Sequence, residues 1–429
     1  MGLLRQSLGS IAVQIVGLAL GLGSGIIIAR WLGPSAKGAV TLYVMITGAL
    51  ATAGNLGFGA ANVHLVGSGQ LEAKRAWANS WWLSLGSGTG LAVAVFFAAP
   101  LAGMALGKPV DMSLLAVALA GLPLAIIFDC QANLLRGLQR IDRFNLAMLA
   151  RQGLRLAALM ALVGWLGAGV PGAIWSVNIS LALASVAAAG MLRREHAISL
   201  VPSLTDFRKS LGYGLRAMPG QLLQFFNYRL DLFILAAFWD SRQVGLYATA
   251  VFIAELLWYV PNGINIALFP AVSARTDPAE AAELSSRAMR HTVFWCLLLA
   301  AGMAAAAGPA ISAVYGPAFA PSANALRILL LGAIAMAPAK LALNHLAGTG
   351  RPQYLSYASL IGLAVTAALD LALIPRWGMM GAAWASSAAY LAVSWAGLFW
   401  LRKHGGVRLR KSLIIRGGDF SQYHRLLGP

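Results

Sequence analysis

Apolar residues run for about twenty positions at a stretch along most of the chain, broken by short polar segments in which Arg and Lys gather. At about 1.5 Å per residue, such a run matches the roughly 30 Å hydrocarbon core of a bilayer. The runs lack the strict alternation of barrel strands, and in lipid only helices or closed barrels satisfy their own backbone groups. The pattern therefore predicts twelve membrane-spanning helices. They centre on residues 7–29, 40–65, 78–100, 113–134, 145–166, 171–191, 213–238, 244–269, 290–310, 323–345, 355–375 and 380–401.

Composition strengthens this reading. Of the 429 residues, 59% are hydrophobic and only 11% are charged, whereas a soluble domain carries roughly 25% charged residues. A surface so poor in charge must face lipid. The first run is too long for a secretory signal and has no small-x-small cleavage site, so it reads as a retained span.

The net charge of +18 changes the picture only through its distribution. With the N-terminus in the cytoplasm, 22 Lys and Arg fall on the inside, the largest groups being residues 136–143, 193–216, 275–290 and the tail from Arg402. Five, Arg30, Lys37, Lys108, Arg242 and Arg376, fall outside. That bias orients the chain as a multi-pass protein of the inner (plasma) membrane with both termini cytoplasmic. No nucleic-acid-binding motif accompanies the charge, so nucleic acid is not an expected partner. The basic tail reads as a solvated segment held near anionic membrane lipids.

The chain also repeats itself. Residues 133–140, NLLRGLQR, and 344–351, NHLAGTGR, share N-x-L-x-G-x-x-R at an offset of 211, and Gly172-Ala173-x-Trp175 recurs as Gly381-Ala382-x-Trp384 at 209. ARWLGPSAKG after the first span loosely matches AAFWDSRQVG after the seventh. An even number of spans per half leaves the halves in one orientation, as parallel repeats related by an axis along the membrane normal. The expected organisation is a six-helix lobe over 1–191, a cytoplasmic linker over 192–212, a second six-helix lobe over 213–401 and the tail over 402–429.

Ionisable residues inside spans normally face the bundle interior or a wet cavity. Asp129, Asn133, Arg136 and Arg140 form one polar stripe on the fourth span, and Arg151 and Arg155 lie one turn apart on the fifth. On the seventh, Gln221, Gln224, Tyr228 and Asp231 share a face, with Arg229 beside them. Glu255, Tyr259 and Asn262 align on the eighth, flanked by Trp258, and the tenth adds Arg327 and Lys340. These groups suit a cationic, partly aromatic cavity, because guanidinium forks match phosphate oxygens while amides, acids and rings suit sugars. Two readings stand for Asp231 and Glu255: coupling to an ion, or an internal ion pair with Arg229. Gly17, Gly21 and Gly25 form a series that suits close helix packing.

Other chemistry is not indicated. Cys130 and Cys296 sit in separate apolar runs and read as small buried hydrophobes. His64, His291 and His345 show no metal-ligand spacing, so no metal is expected. No GxSxG, Walker or Gly-rich nucleotide motif occurs, and neither a cofactor nor an enzymatic activity is expected.

The stretches ARWLGPSAKGAVTLYV from Ala29, NLGFGAANVHLVG from Asn55, NYRLDLFILAAF from Asn227, AELLWYVPNGINIALFP from Ala254 and LALIPRWGMMGAAWASSAAY from Leu371 resemble, in order and spacing, the polysaccharide transporter family. These are the Wzx-type oligosaccharide flippases of the multidrug/oligosaccharidyl-lipid/polysaccharide exporter superfamily, and the likeness spans nearly the whole chain. It implies an all-α polytopic membrane protein, a MATE-like V-shaped bundle that moves undecaprenyl-diphosphate-linked oligosaccharide repeat units across the membrane by alternating access. The partners it implies are that lipid-linked oligosaccharide, membrane lipids and other polysaccharide assembly proteins. Arg155 and Arg229 match the basic residues of the family's cavity, with Asp231 completing an Arg-Leu-Asp motif. An ion-site signature is lacking. The main alternative is a cation-coupled multidrug exporter of the same superfamily, which the basic balance of the spans disfavours. An integral-membrane glycosyltransferase or polymerase would want a large soluble loop and clustered acids.

Overall fold

The computed structural model describes residues 2–414 apart from 106, 195–198, 276 and 408, with side chains from residue 13 onward other than 267, 410 and 411. The tail beyond 414 and residues 195–198 of the expected linker lie outside the described residues. The described residues form helices joined by short turns, without a strand.

Nine described helices are long and apolar enough to cross a membrane. Two of them count double. Helix Gly2–Gly54 breaks at Gly33 (φ 79°, ψ −179°) and helix Gln353–His404 at Gly378 (φ 55°, ψ −134°). A straight helix of 53 residues would be about 80 Å long, far beyond one bilayer crossing. The left-handed glycines, which carry no Cβ to clash, let the chain turn back without leaving a loop. Ile28 and Val40, on either side of Gly33, accordingly share one buried cluster. With helix Leu204–Phe238, 35 residues long, the described spans number twelve. Trp31, Phe97, Met104, Trp165 and Trp395 are exposed on the helix surfaces, as an envelope facing lipid requires.

By packing, the chain separates into two compact units, Met1–Phe225 and Phe226–Pro429. The division falls inside helix Leu204–Phe238 because the first part of that helix belongs to the first unit. Phe207 lies 5.1 Å from Phe58, ring to ring, and Tyr213 stacks on His64 at 4.7 Å. Gly214 meets the backbone of Gly57, and Arg75 donates to Asp206 at 3.0 Å. Desolvation pushes the Asp206 carboxyl upward, but the Arg75 and Ser203 hydrogen bonds and the nearby cations outweigh it and hold it below the ordinary carboxylate value. Residues 204–212 of the expected linker are thus a helical arm clamped to the first unit.

The internal repeat is visible in the backbone. Gln139 (φ 60°) and Gly350 (φ 82°) are both left-handed, 211 positions apart, and close the same helix cap. Arg140 N–H reaches Leu135 O at 2.9 Å in one copy, and Arg351 N–H reaches Leu346 O at 2.8 Å in the other. The shared N-x-L-x-G-x-x-R is therefore a helix C-cap. Gly169 (φ 57°) and Gly378 (φ 55°) likewise turn the chain three residues before the two Gly-Ala-x-Trp copies.

Candidate functional site

In the first unit the fifth span begins at helix Ile141–Leu159. Gln152 packs against the first span, where a Cβ on Gly17 would lie 2.9 Å from Gln152 Nε2 and one on Gly21 3.4 Å from Oε1. Gly17 and Gly21 thus serve close packing, whereas Gly25 has nothing within 4 Å. Arg151 and Arg155 flank this contact. The Arg151 guanidinium sits over the Phe128 ring at 5.4 Å, and its Nε is buried without an acceptor. Arg155 Nε is also buried without an acceptor, and no described residue forms an ion pair or hydrogen bond with this side chain. The like charge of Arg151 acts on it electrostatically.

In the second unit the cations are compensated. Arg229 donates to Glu255 Oε1 at 3.1 Å and to the Tyr228 carbonyl at 3.2 Å. Glu255 ends helix Ser241–Glu255, and the turn Leu256–Trp258 that follows brings Trp258 inward. Lys340 Nζ lies 4.6 Å from the centre of the Trp258 ring, whose neighbours are Tyr390 at 5.2 Å and Tyr228 at 6.0 Å. Arg229, Glu255, Tyr228, Trp258 and Lys340 are therefore brought together. Tyr259 is exposed. Arg327 stands apart, thirteen residues or about 20 Å up its helix from Lys340, donating to Ala304 O and Asn324 Oδ1, both at 3.1 Å.

Asp231 does not pair with Arg229 directly. Its Oδ2 accepts from Tyr247 Oη at 2.6 Å and Ser386 Oγ at 3.1 Å, and its Oδ1 from Leu232 N–H at 2.7 Å. Beside it lies Asp370, which the sequence reading passed over. Asp370 is fully buried, neither carboxyl oxygen has a donor, and the group interacts electrostatically with Asp231. A buried ionised carboxyl without a donor is strongly disfavoured, so a proton or a cation must neutralise it. Asp370 is the lone acid of an apolar run and was visible as such. Tyr247 and Ser386 carried no signal, since only the fold brings them to Asp231. Among the described residues, no group of three or more His, Cys, Asp or Glu is placed to hold a metal ion.

Twelve helical spans, an internal repeat and charges buried at mid-span define a polytopic membrane protein with the fold of the MOP superfamily transporters. The chain superposes on an inward-facing multidrug resistance MATE family transporter of that superfamily with a TM-score of 0.74 at 17% identity, covering 92% of this chain and 98% of the other. For the lipid II flippase MurJ in an inward closed conformation the values are 0.77, 15%, 94% and 89%. A MOP superfamily transporter from Pyrococcus furiosus, described as having reversed binding-pocket polarity, gives 0.66 at 19%, with 94% and 95% covered. At these identities the likeness is one of fold. The family model described as "Polysaccharide biosynthesis protein" matches residues 27–324, and the chain belongs to that family. An uncharacterized membrane protein of Methanocaldococcus jannaschii is 26% identical over 222 residues, half of this chain and 44% of its own length.

Proposed function

We propose that this protein flips undecaprenyl-diphosphate-linked oligosaccharide repeat units across the inner membrane by alternating access, for surface polysaccharide synthesis. The observation that carries the reading is Arg155, a cation inside a span that no described residue neutralises. A half-buried guanidinium whose Nε is shut off from water without an acceptor calls for an anionic ligand, and a diphosphate matches its fork. Membership of a polysaccharide biosynthesis family supports the sugar half of the substrate. The lipid tail stays in the bilayer, so transport needs only a polar route for the headgroup, without chemistry. Within the first unit Arg151 is a second candidate contact for the headgroup; in the second unit the candidates are Arg229, Tyr228, Trp258 and Lys340, with Tyr259 and Arg327.

Asp231 and Asp370 supply the coupling in this reading, taking up a proton or a monovalent cation in one state and releasing it in the other. Glu255 serves as the partner of Arg229. Deleting the gene should trap lipid-linked repeat units on the cytoplasmic leaflet and abolish the surface polymer, with drug susceptibility unchanged. A strain that keeps its polymer and becomes sensitive to cationic drugs would establish the multidrug exporter instead.

A further inference from the structure

We infer that the first unit holds a separate subsite that reads the sugars of the headgroup, next to the arginines that meet its phosphates. The inference rests on the flippase reading. A cavity of about 820 Å³ lies among the ends of the second, fourth and seventh spans, lined by His64, Asp129, Asn133, Arg136, Tyr213 and Gln221 among others. It opens beside the turns at 67–72 and 137–140, the end that the charge bias assigns to the cytoplasm. Its size falls within the ~300–1,000 Å³ of small-molecule sites.

The lining carries one acceptor-only carboxylate, one donor-only guanidinium and three amides, Asn133, Gln139 and Gln221, a set that suits hydroxyl groups, each of which both donates and accepts. His64 and Tyr213 stack at 4.7 Å and 10°, adding a flat ring surface to the wall. The carboxylate argues against a phosphate here, because like charges repel. No described residue forms an ion pair with Asp129.

The cavity is also built rather than incidental. Asn55, only 5% exposed, donates to Asp129 Oδ2 and accepts the Gly59 N–H at 2.9 Å, fixing the carboxylate to the helix that follows. A Cβ on Gly59 would lie 2.9 Å from Asp129 Oδ2 and 2.8 Å from Asn133 Nδ2, so glycine is what admits both groups. Arg136 Nη1 donates to Asn133 Oδ1 at 3.2 Å and is steadied by the Phe144 ring at 5.3 Å. Arg151 interacts electrostatically with Asp129, and Arg155 lies one helical turn farther along the span. The order cavity, Arg151, Arg155 matches the covalent order sugar, diphosphate.

The test measures binding of two probes to the full chain in lipid nanodiscs. One is undecaprenyl diphosphate; the other is the same lipid carrying the repeat unit, extracted from a strain that lacks the gene. Asp129→Asn and, independently, Asn133→Ala should weaken the sugar-bearing lipid about tenfold, the scale of one lost hydrogen bond to a charged group, while undecaprenyl diphosphate binds no more weakly than to the wild type. Arg155→Ala should weaken both probes. Melting curves establish that each variant is folded. Equal losses for both probes in the Asp129 and Asn133 variants, or no loss in either, would overturn the subsite while leaving the flippase reading intact. Failure of both probes to bind the wild-type protein would instead remove the flippase reading, and the subsite with it. Binding of the free oligosaccharide as tightly as its lipid-linked form would also overturn the inference, since it would mark a site for a soluble sugar.

Discussion

Arg155→Ala should leave stability almost untouched while impairing transport, and this pairing of outcomes is the sharpest consequence of the site. The truncation removes buried methylenes, a loss of roughly 2 kcal/mol at about 0.8 kcal/mol each. It also removes a buried Nε that has no acceptor, relieving a penalty of about 1–3 kcal/mol, together with repulsion from Arg151. The two nearly cancel, leaving a change within about 1 kcal/mol. Arg229→Ala differs, because it strips Glu255 of its donor at 3.1 Å. A fully buried broken pair costs about 3–5 kcal/mol; with side chains 34% and 25% exposed, about 1–3 kcal/mol is expected. Thermal melting of detergent-solubilised protein reads the difference, with Arg155→Ala melting near wild type and Arg229→Ala clearly below. Loss of the phosphate contact should weaken undecaprenyl diphosphate binding by 1.5–3 kcal/mol, roughly ten- to hundredfold, and Arg155→Lys should recover part of it, keeping the charge but not the fork. If Arg155→Ala melts as low as Arg229→Ala and still transports, the residue is a structural cation and the reasoning fails.

Gly381→Ala would place a Cβ 2.5 Å from Leu373 O, backbone that cannot yield, and should destabilise by about 1–3 kcal/mol; Gly25→Ala, with open space, should melt like wild type. Asp370→Asn should abolish the dependence of transport on an ion gradient, and transport that stays gradient-dependent in both this variant and Asp231→Asn would refute the coupling role. Asp206 sits below the ordinary carboxylate value, so its pair with Arg75 stabilises fully above the unfolded value near about 3.9 and fades as pH falls through the lower folded value. The stability gap between wild type and Asp206→Asn should therefore be present at pH 7 and shrink only in that acid range; a gap that disappears between pH 7 and 5 would contradict it. Reporter fusions after residues 70, 141, 205, 280 and 410 should all report cytoplasm, and a periplasmic signal at 205 or 410 would break the six-plus-six topology.

The number of spans was legible because hydropathy reports directly what lipid demands. The span ends were less so. Helix Pro278–Tyr315 extends well beyond the apolar stretch 290–310, since a helix continues into water as long as its backbone bonds and caps hold. The expected second span, 40–65, is broken at Leu56 and Gly57 (φ 48° and 74°), where a close approach to Gly214, distant in sequence, decides the turn. Arg151, Arg155, Arg229 and Lys340 announced themselves as charges in apolar runs. Their state did not: Arg229 is neutralised by Glu255 and Arg155 by no described residue, although the two look alike along the chain. Asp370 has only Thr366 at helical spacing, and the packing of its helix against Leu204–Phe238 is what gives it Asp231 as a neighbour.

The glycine turns at Gly33 and Gly378 bear on how the protein is made. With no connector between the paired spans, no free loop exists to be threaded through the bilayer after the first span has settled. Each pair is expected to enter as one helical hairpin, the leading span waiting at the insertion machinery until its mate has been synthesised. Lengthening either turn with a flexible insert would uncouple the two events, and a nascent chain halted at Trp31 or Trp377 would hold one span of a pair with nothing to fold against.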